Sequence, residues 1–319
     1  MVHPGGHAGG VGSDPLTGET AGLFDRARQL GGLPKVVTIN TSAEYWRGDA
    51  SLCHTDLADA RDVEPPAGAR YYHFGGTQHG LCVVPLVHLS GSEGSRGANP
   101  LNAVDYSPLT RAVLMNLDRW VAEGIEPPPS AFPRLANGTA ITPEEALAQF
   151  HAIPGAVVAD PERRLMVWRT DPGAPAEVGV MQTLPAALGE RYQNYVSALD
   201  ADRNEVSGIR MPDVSVPVAT YTGWNPRAPE TGGEGQLNLM QGSTFPFPAT
   251  RAERERTGDP RPSIEERYRD RDEYLAKVRA AAEELVRQRY LLEEDIETTL
   301  MLAGRRYDTF AAAPASIGS

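Results

Sequence analysis

Lys35-Val36-Val37-Thr38-Ile39-Asn40, continuing into Thr41-Ser42-Ala43-Glu44-Tyr45-Trp46, is the stretch that decides the fold. A β-branched apolar run closed by polar residues reads as a strand buried on both faces, the kind found in parallel sheets. A polar segment follows, through about Ala69. A second strand is expected over 69–74, ending at Gly75-Gly76-Thr77-Gln78-His79-Gly80. Two such runs, joined by a connection long enough for a crossover, predict adjacent parallel strands over 34–40 and 69–75. A third apolar stretch covers 81–89.

In a parallel α/β sheet the reactive groups sit just beyond the carboxyl ends of the strands. Glu44 follows the first strand and His79 follows the second. A carboxylate and then a histidine is the chain order of the acid and base in α/β-hydrolases. The carboxylate holds the imidazole in one tautomer and stabilises the imidazolium. The imidazole takes a proton from a nucleophile and later returns it to the leaving group. Spacing alone also fits a solvated loop carboxylate and a histidine in a glycine-rich turn.

Working outward, residues 1–20 are Gly-rich and polar and read as a flexible lead-in. Residues 22–31 suggest a short helix ended by Gly31-Gly32. Ser107 as N-cap and Pro108 at the first helical position open a longer helix. Leu109, Val113, Leu117, Trp120 and Val121 form its apolar stripe, and Gly124 stops it. Residues 126–250 read as an irregular, strand-poor extension that wraps the rest, with short β-like pieces at 165–169, 177–182 and 214–222. Within it, Asp200-Ala201-Asp202-Arg203-Asn204-Glu205 resembles the start of a calcium loop. It lacks the central Gly, and Met211 stands where the bidentate Glu belongs, so a hairpin turn is expected. Residues 251–312 are charged and helical. Ser263 with Glu266 forms a capping box, Leu275, Val278, Ala282, Leu285 and Val286 supply a core-facing stripe, and a second helix runs from about 293 to 310. Residues 313–319 are a tail.

Composition narrows the classes. Of the 319 residues 40% are hydrophobic and 23% charged, which supports a substantial core and argues against global disorder. The net charge of −12, with Lys and Arg interleaved among Asp and Glu, leaves no basic patch for nucleic acid. No apolar run approaches the length of a membrane span, and nothing resembles a signal peptide, so a cytoplasmic protein is expected. Cys53 and Cys82 make neither a CxxC pair nor a disulfide framework. There is no P-loop, dinucleotide fingerprint or zinc-ligand spacing, hence no expected cofactor or metal. His3 and His7, in the Gly-rich start, read as incidental.

The joint pattern resembles a known family. It runs through Ser13-Asp14-Pro15-Leu16-Thr17-Gly18, Leu23-Phe24-Asp25-Arg26-Ala27-Arg28, Asn40 to Trp46, and Ala50-Ser51-Leu52-Cys53-His54-Thr55. It continues in Gly76-Thr77-Gln78-His79-Gly80, Val214 to Asn225 and Thr257 to Tyr268. Together these are similar to the bacterial α/β-hydrolase domain-containing family of poorly characterised hydrolases. The resemblance implies a Ser–acid–His hydrolase of ester or related acyl bonds. Glu44 matches its acid and His79 its base, while His54 matches a recurrent position and is kept as a possible secondary site residue.

The chain departs from that pattern in one respect. No G-x-S-x-G elbow is present; Ser95 has Gly97 after it but Glu93 before it, and Ser42, Ser51 and Ser243 lack the flanking glycines of a strained strand–turn–helix. The expected fold is therefore α/β, the C-terminal part of an α/β-hydrolase sheet. Its last parallel strands lie within residues 21–125, followed by the irregular extension and the helical segment. On this reading the chain looks truncated and lacks a nucleophile. An ester-like small molecule is the substrate if it acts at all. The main rival is a non-catalytic subunit, bound to a partner chain that carries the missing half or to itself, since two or three strands leave open sheet edges. A third reading uses Cys53 or Ser51 beside His54 as an unusual nucleophile.

Overall fold

The structure is a computed structural model and describes residues 11–13, 20–22, 24–56, 60–81, 84–90, 94–171, 184–233 and 235–312. At its centre β1 (Val36–Thr41) pairs in parallel with β2 (Ala69–Phe74), from Val36 opposite Ala69 to Thr41 opposite Phe74. Alternation along β2 sends successive side chains to opposite faces. Tyr72 and Phe74 enter the main core, whereas Tyr71 packs with Phe132 in a smaller cluster. His73 follows the parity of Tyr71 and is fully buried, its ring edge-on to Tyr45 at 4.4 Å.

The outer edge of β2 is capped by later chain. Ala131 N donates to Tyr71 O and His73 N to Ala131 O; Ile209 N donates to His73 O and Gly75 N to Ile209 O. Among the described residues no strand pairs with the outer edge of β1.

α1 (Ser42–Arg47) starts as β1 ends, and Gly48 stops it in the left-handed region at φ +100°. α2 (Ser107–Glu123) lays Leu109, Ala112, Val113 and Trp120 inward. Its buried stripe is thus narrower than the sequence suggests: Leu117 is half-buried and Val121 is 68% exposed. Tyr106 takes the cap position and Ser107 is already helical. α3 (Arg271–Arg287) and α4 (Ile296–Ala311) pack on each other and add Tyr274, Val278, Ala282 and Leu300 to the main core. The capping box of Ser263 and Glu266 forms as expected. Each large side chain buried there, such as Phe74, contributes about 1.5–3 kcal/mol.

The extension adds a second cluster against the sheet end. Phe150, Trp224 and Phe245 gather around Tyr45 and Trp46 of α1, with Phe150 and Trp224 edge-to-face at 5.0 Å. Several expected elements differ. Residues 84–90 form no strand; within them Leu89 makes an isolated antiparallel bridge to Arg96. Residues 214–222 split into the end of a short helix, Pro212–Ser215, and a strand, Ala219–Tyr221, paired with Thr244–Pro246. The piece expected at 165–169 falls at Trp168–Asp171, and the one at 177–182 lies outside the described residues, as do Cys82, His3 and His7. Among the described residues no helix is long and apolar enough to cross a membrane.

Candidate functional site

The first turn of α1 fixes Glu44. Thr41 is its N-cap, and its backbone N–H donates to Glu44 Oε2 at 2.7 Å while the Thr41 hydroxyl donates to the same oxygen. Glu44 is the fourth residue of this capping box, so one carboxylate oxygen is fixed by local sequence alone. The other is left to act at a distance. Glu44 Oε1 accepts from His79 Nδ1 at 2.5 Å. The Glu44 side chain is 10% exposed and that of His79 is 58% exposed. A buried acid therefore holds an accessible imidazole, with Nδ1–H committed to the carboxylate and Nε2 left able to accept a proton.

His79 is also held through its backbone. Its N–H donates to Met240 O at 3.1 Å, and the Tyr106 hydroxyl donates to its carbonyl. Burial, followed by the nearby Glu44 charge, pushes the Tyr106 phenol up to about 12, so it remains a donor. Beside His79, Gln78 Oε1 accepts from Gly242 N at 2.9 Å, which ties the loop to the far end of the extension. Gly76 sits at φ +70°, and a Cβ there would lie 2.8 Å from Val214 Cγ2. Only glycine allows that turn.

Beneath the pair lies a second polar network. Glu205 Oε2 accepts from His73 Nε2 at 2.7 Å, from Ser42 Oγ at 2.8 Å and from Gly76 N at 3.1 Å. Ser42 Oγ in turn accepts from Gly76 N at 2.8 Å and from Thr77 N at 3.2 Å. A buried imidazole requires such a partner, because an unpaired polar group in an apolar surround is costly. In sequence Glu205 is only the last residue of a hairpin turn. Nothing local marks it, since its partners lie more than a hundred positions away.

His54 is engaged elsewhere. Its Nε2 is 2.9 Å from the Tyr45 hydroxyl and its ring stacks on Phe132 at 4.3 Å. Burial, then the neighbouring His73, holds its pKa down at about 3, against the weaker pull of Asp62. Asp49 pairs with Arg47, and Asp62 accepts from Leu135 N and Ala136 N, so neither is bonded to His54.

The alternative serines and cysteine lie in buried or half-buried surroundings. Ser42 and Ser51 are fully buried, and Ser51 Oγ accepts from Tyr195 N at 3.1 Å. Burial pushes the Cys53 thiol up to about 11, far from the thiolate a nucleophile needs. Among the described residues no serine, threonine or cysteine is hydrogen-bonded to the His79 ring. Nor do three or more His, Cys, Asp or Glu residues gather in a way that could hold a metal ion.

No curated protein and no solved structure matches the chain. A family model does, over residues 3–301, a span that includes β1, β2, Glu44, His79 and Glu205, and its description is an alpha/beta hydrolase domain. The chain belongs to the alpha/beta hydrolase domain family.

Proposed function

We propose that Glu44 and His79 are the acid and base of a Ser–acid–His hydrolase acting on an ester or related acyl bond. On this reading the chain corresponds to the C-terminal portion of the hydrolase core and has no nucleophile of its own. The 2.5 Å contact between Glu44 Oε1 and His79 Nδ1, at the carboxyl ends of two parallel strands, carries the reading. The acid orients the ring, and Nε2 is then the atom that would accept a proton from a serine hydroxyl. Serine in a G-x-S-x-G elbow would also bring the backbone N–H that completes half of the oxyanion hole.

The test is hydrolysis of short p-nitrophenyl esters by the purified chain and by its His79→Ala variant, both verified as folded. The chain alone should be no faster than the variant, since loss of one oxyanion donor already costs about a hundredfold to a thousandfold and loss of the nucleophile removes the covalent route. A clear His79-dependent rate, with covalent labelling by a fluorophosphonate, would overturn the missing-nucleophile part and leave the acid–base pair standing.

A second reading is a non-catalytic subunit that pairs with a partner chain or with itself. Among the described residues the outer edge of β1 pairs with no strand, which favours it, because such an edge offers backbone donors and acceptors for strand addition. Val36 N donates toward β2, to Gly68 O, so the Val37 N–H points the other way. Val37→Pro removes that donor. It should abolish concentration-dependent association measured by light scattering, and association that persists would rule out this edge as the contact.

A further inference from the structure

We propose that Glu205 is a positioning residue for the Glu44–His79 pair, reaching it from the extension; the inference rests on the acid–base reading above. The two loops that carry the pair leave the sheet at neighbouring points, and neither fixes the other by local sequence. Ser42, the first residue of α1, belongs to the acid's loop. Gly76 and Thr77 belong to the base's loop. One oxygen of Glu205 binds both, taking the Ser42 hydroxyl at 2.8 Å and the Gly76 N–H at 3.1 Å. His73 Nε2, on β2 itself, is its third donor at 2.7 Å.

Three donors converging on a single oxygen suit a carboxylate better than an amide. A Gln in that place would meet the three donors with one neutral carbonyl and lose the charge that strengthens each bond. Glu205 is itself held rigidly. The turn before it closes on Asp200 Oδ1, which accepts from Asp202 N at 2.8 Å and Asn204 N at 3.0 Å. Asn204 anchors the turn in the core through Ala219 O at 3.0 Å and Tyr221 N at 2.9 Å. The clamp thus joins the core, the acid's helix start and the base's loop at one buried atom.

The prediction concerns where His79 sits relative to Glu44, so it can be read without turnover. The probe is the His79 Nδ1 proton in a histidine-labelled sample of the full chain, observed by NMR as a downfield resonance, together with its exchange with water. Exposed as the ring is, that proton persists only while the bond to Glu44 is held. Glu44→Gln should abolish its protection; if it changes nothing, the acid–base reading fails and not merely the role of Glu205. Given that control, Glu205→Gln should speed the exchange about tenfold or more, while core amides of α3 keep their protection.

Val278→Ala, a fully buried core truncation on α3, serves as the structural comparison. At matched loss of global stability it should leave the His79 proton within about twofold of the parent. Equal acceleration in both variants, or none in Glu205→Gln, would overturn the inference. If Glu205→Gln does not fold, Ser42→Ala is read by the same criterion, since it cuts the link to the acid's helix and keeps the His73–Glu205 pair.

Discussion

Acidification should unfold this protein in part through His54. The ring is 2% exposed, stacked on Phe132 and bonded to the Tyr45 hydroxyl, a setting that accommodates the neutral imidazole and not the cation. Its ordinary pKa of 6.5 falls to about 3 in the folded chain. The unfolded chain therefore takes up a proton at this site below pH 6.5, whereas the folded chain does not until about pH 3. The stability held at His54 is fully present above pH 6.5 and is lost as pH falls through that window. Each pH unit of the window is worth about 1.4 kcal/mol, so the loss is roughly 2 kcal/mol by pH 5 and about 4 kcal/mol by pH 3. Against a typical total of about 5–15 kcal/mol, that is a large share.

The assay is urea unfolding of the parent and His54→Gln across pH 4–7. Carboxylates elsewhere titrate alike in both proteins and cancel in the difference. His54→Gln should be the less stable of the two at neutral pH, because it loses the stacked ring. The gap should then close, and can reverse, as the pH approaches 5. Stability curves that stay parallel from pH 7 to pH 4 would refute the account of a neutral buried ring.

Other expected outcomes follow from single contacts. Gly223→Ala would place a Cβ 2.7 Å from Ala43 N and closer still to Ser42. The strain should cost about 1–3 kcal/mol in unfolding experiments and displace the start of α1. Arg261→Met would leave Asp259 buried without its guanidinium, which also donates to Thr220 Oγ1 and Phe245 O at 2.9 Å each. It should cost about 3–5 kcal/mol, read from the urea midpoint. Cys53, with its thiol near 11, should react with iodoacetamide at pH 8 far more slowly in the native chain than in urea; equal rates would show it accessible and ionised.

Residues 36–41 and 69–74 were legible because their signal is local: apolar runs bounded by polar and glycine residues. The capping box that seats Glu44 was present in the sequence as well, at Thr41 and Glu44, although the glutamate stood out for its place after a strand. Val121 misled because helical spacing says which residues share a face, and the width of the buried face is set by what packs on it. Glu205 was out of reach for a different reason. A turn glutamate acquires its role only from Ser42, His73 and Gly76, and nothing in its own neighbourhood records them.

The clamp also bears on the order in which the chain assembles. The capping box around Glu44 spans three positions, the contact from Glu44 to His79 spans 35, and that from Ser42 to Glu205 spans 163. Closing the longest of these loops costs about 1.4 kcal/mol more chain entropy than closing the middle one. Contacts of such separation form late, after local structure has made them affordable. The expected order is Glu44 seated first, His79 brought to it when β1 meets β2, and the two tied together only when the later chain has folded back. A chain arrested before that last step would keep its strands and its capping box, yet hold its histidine loosely.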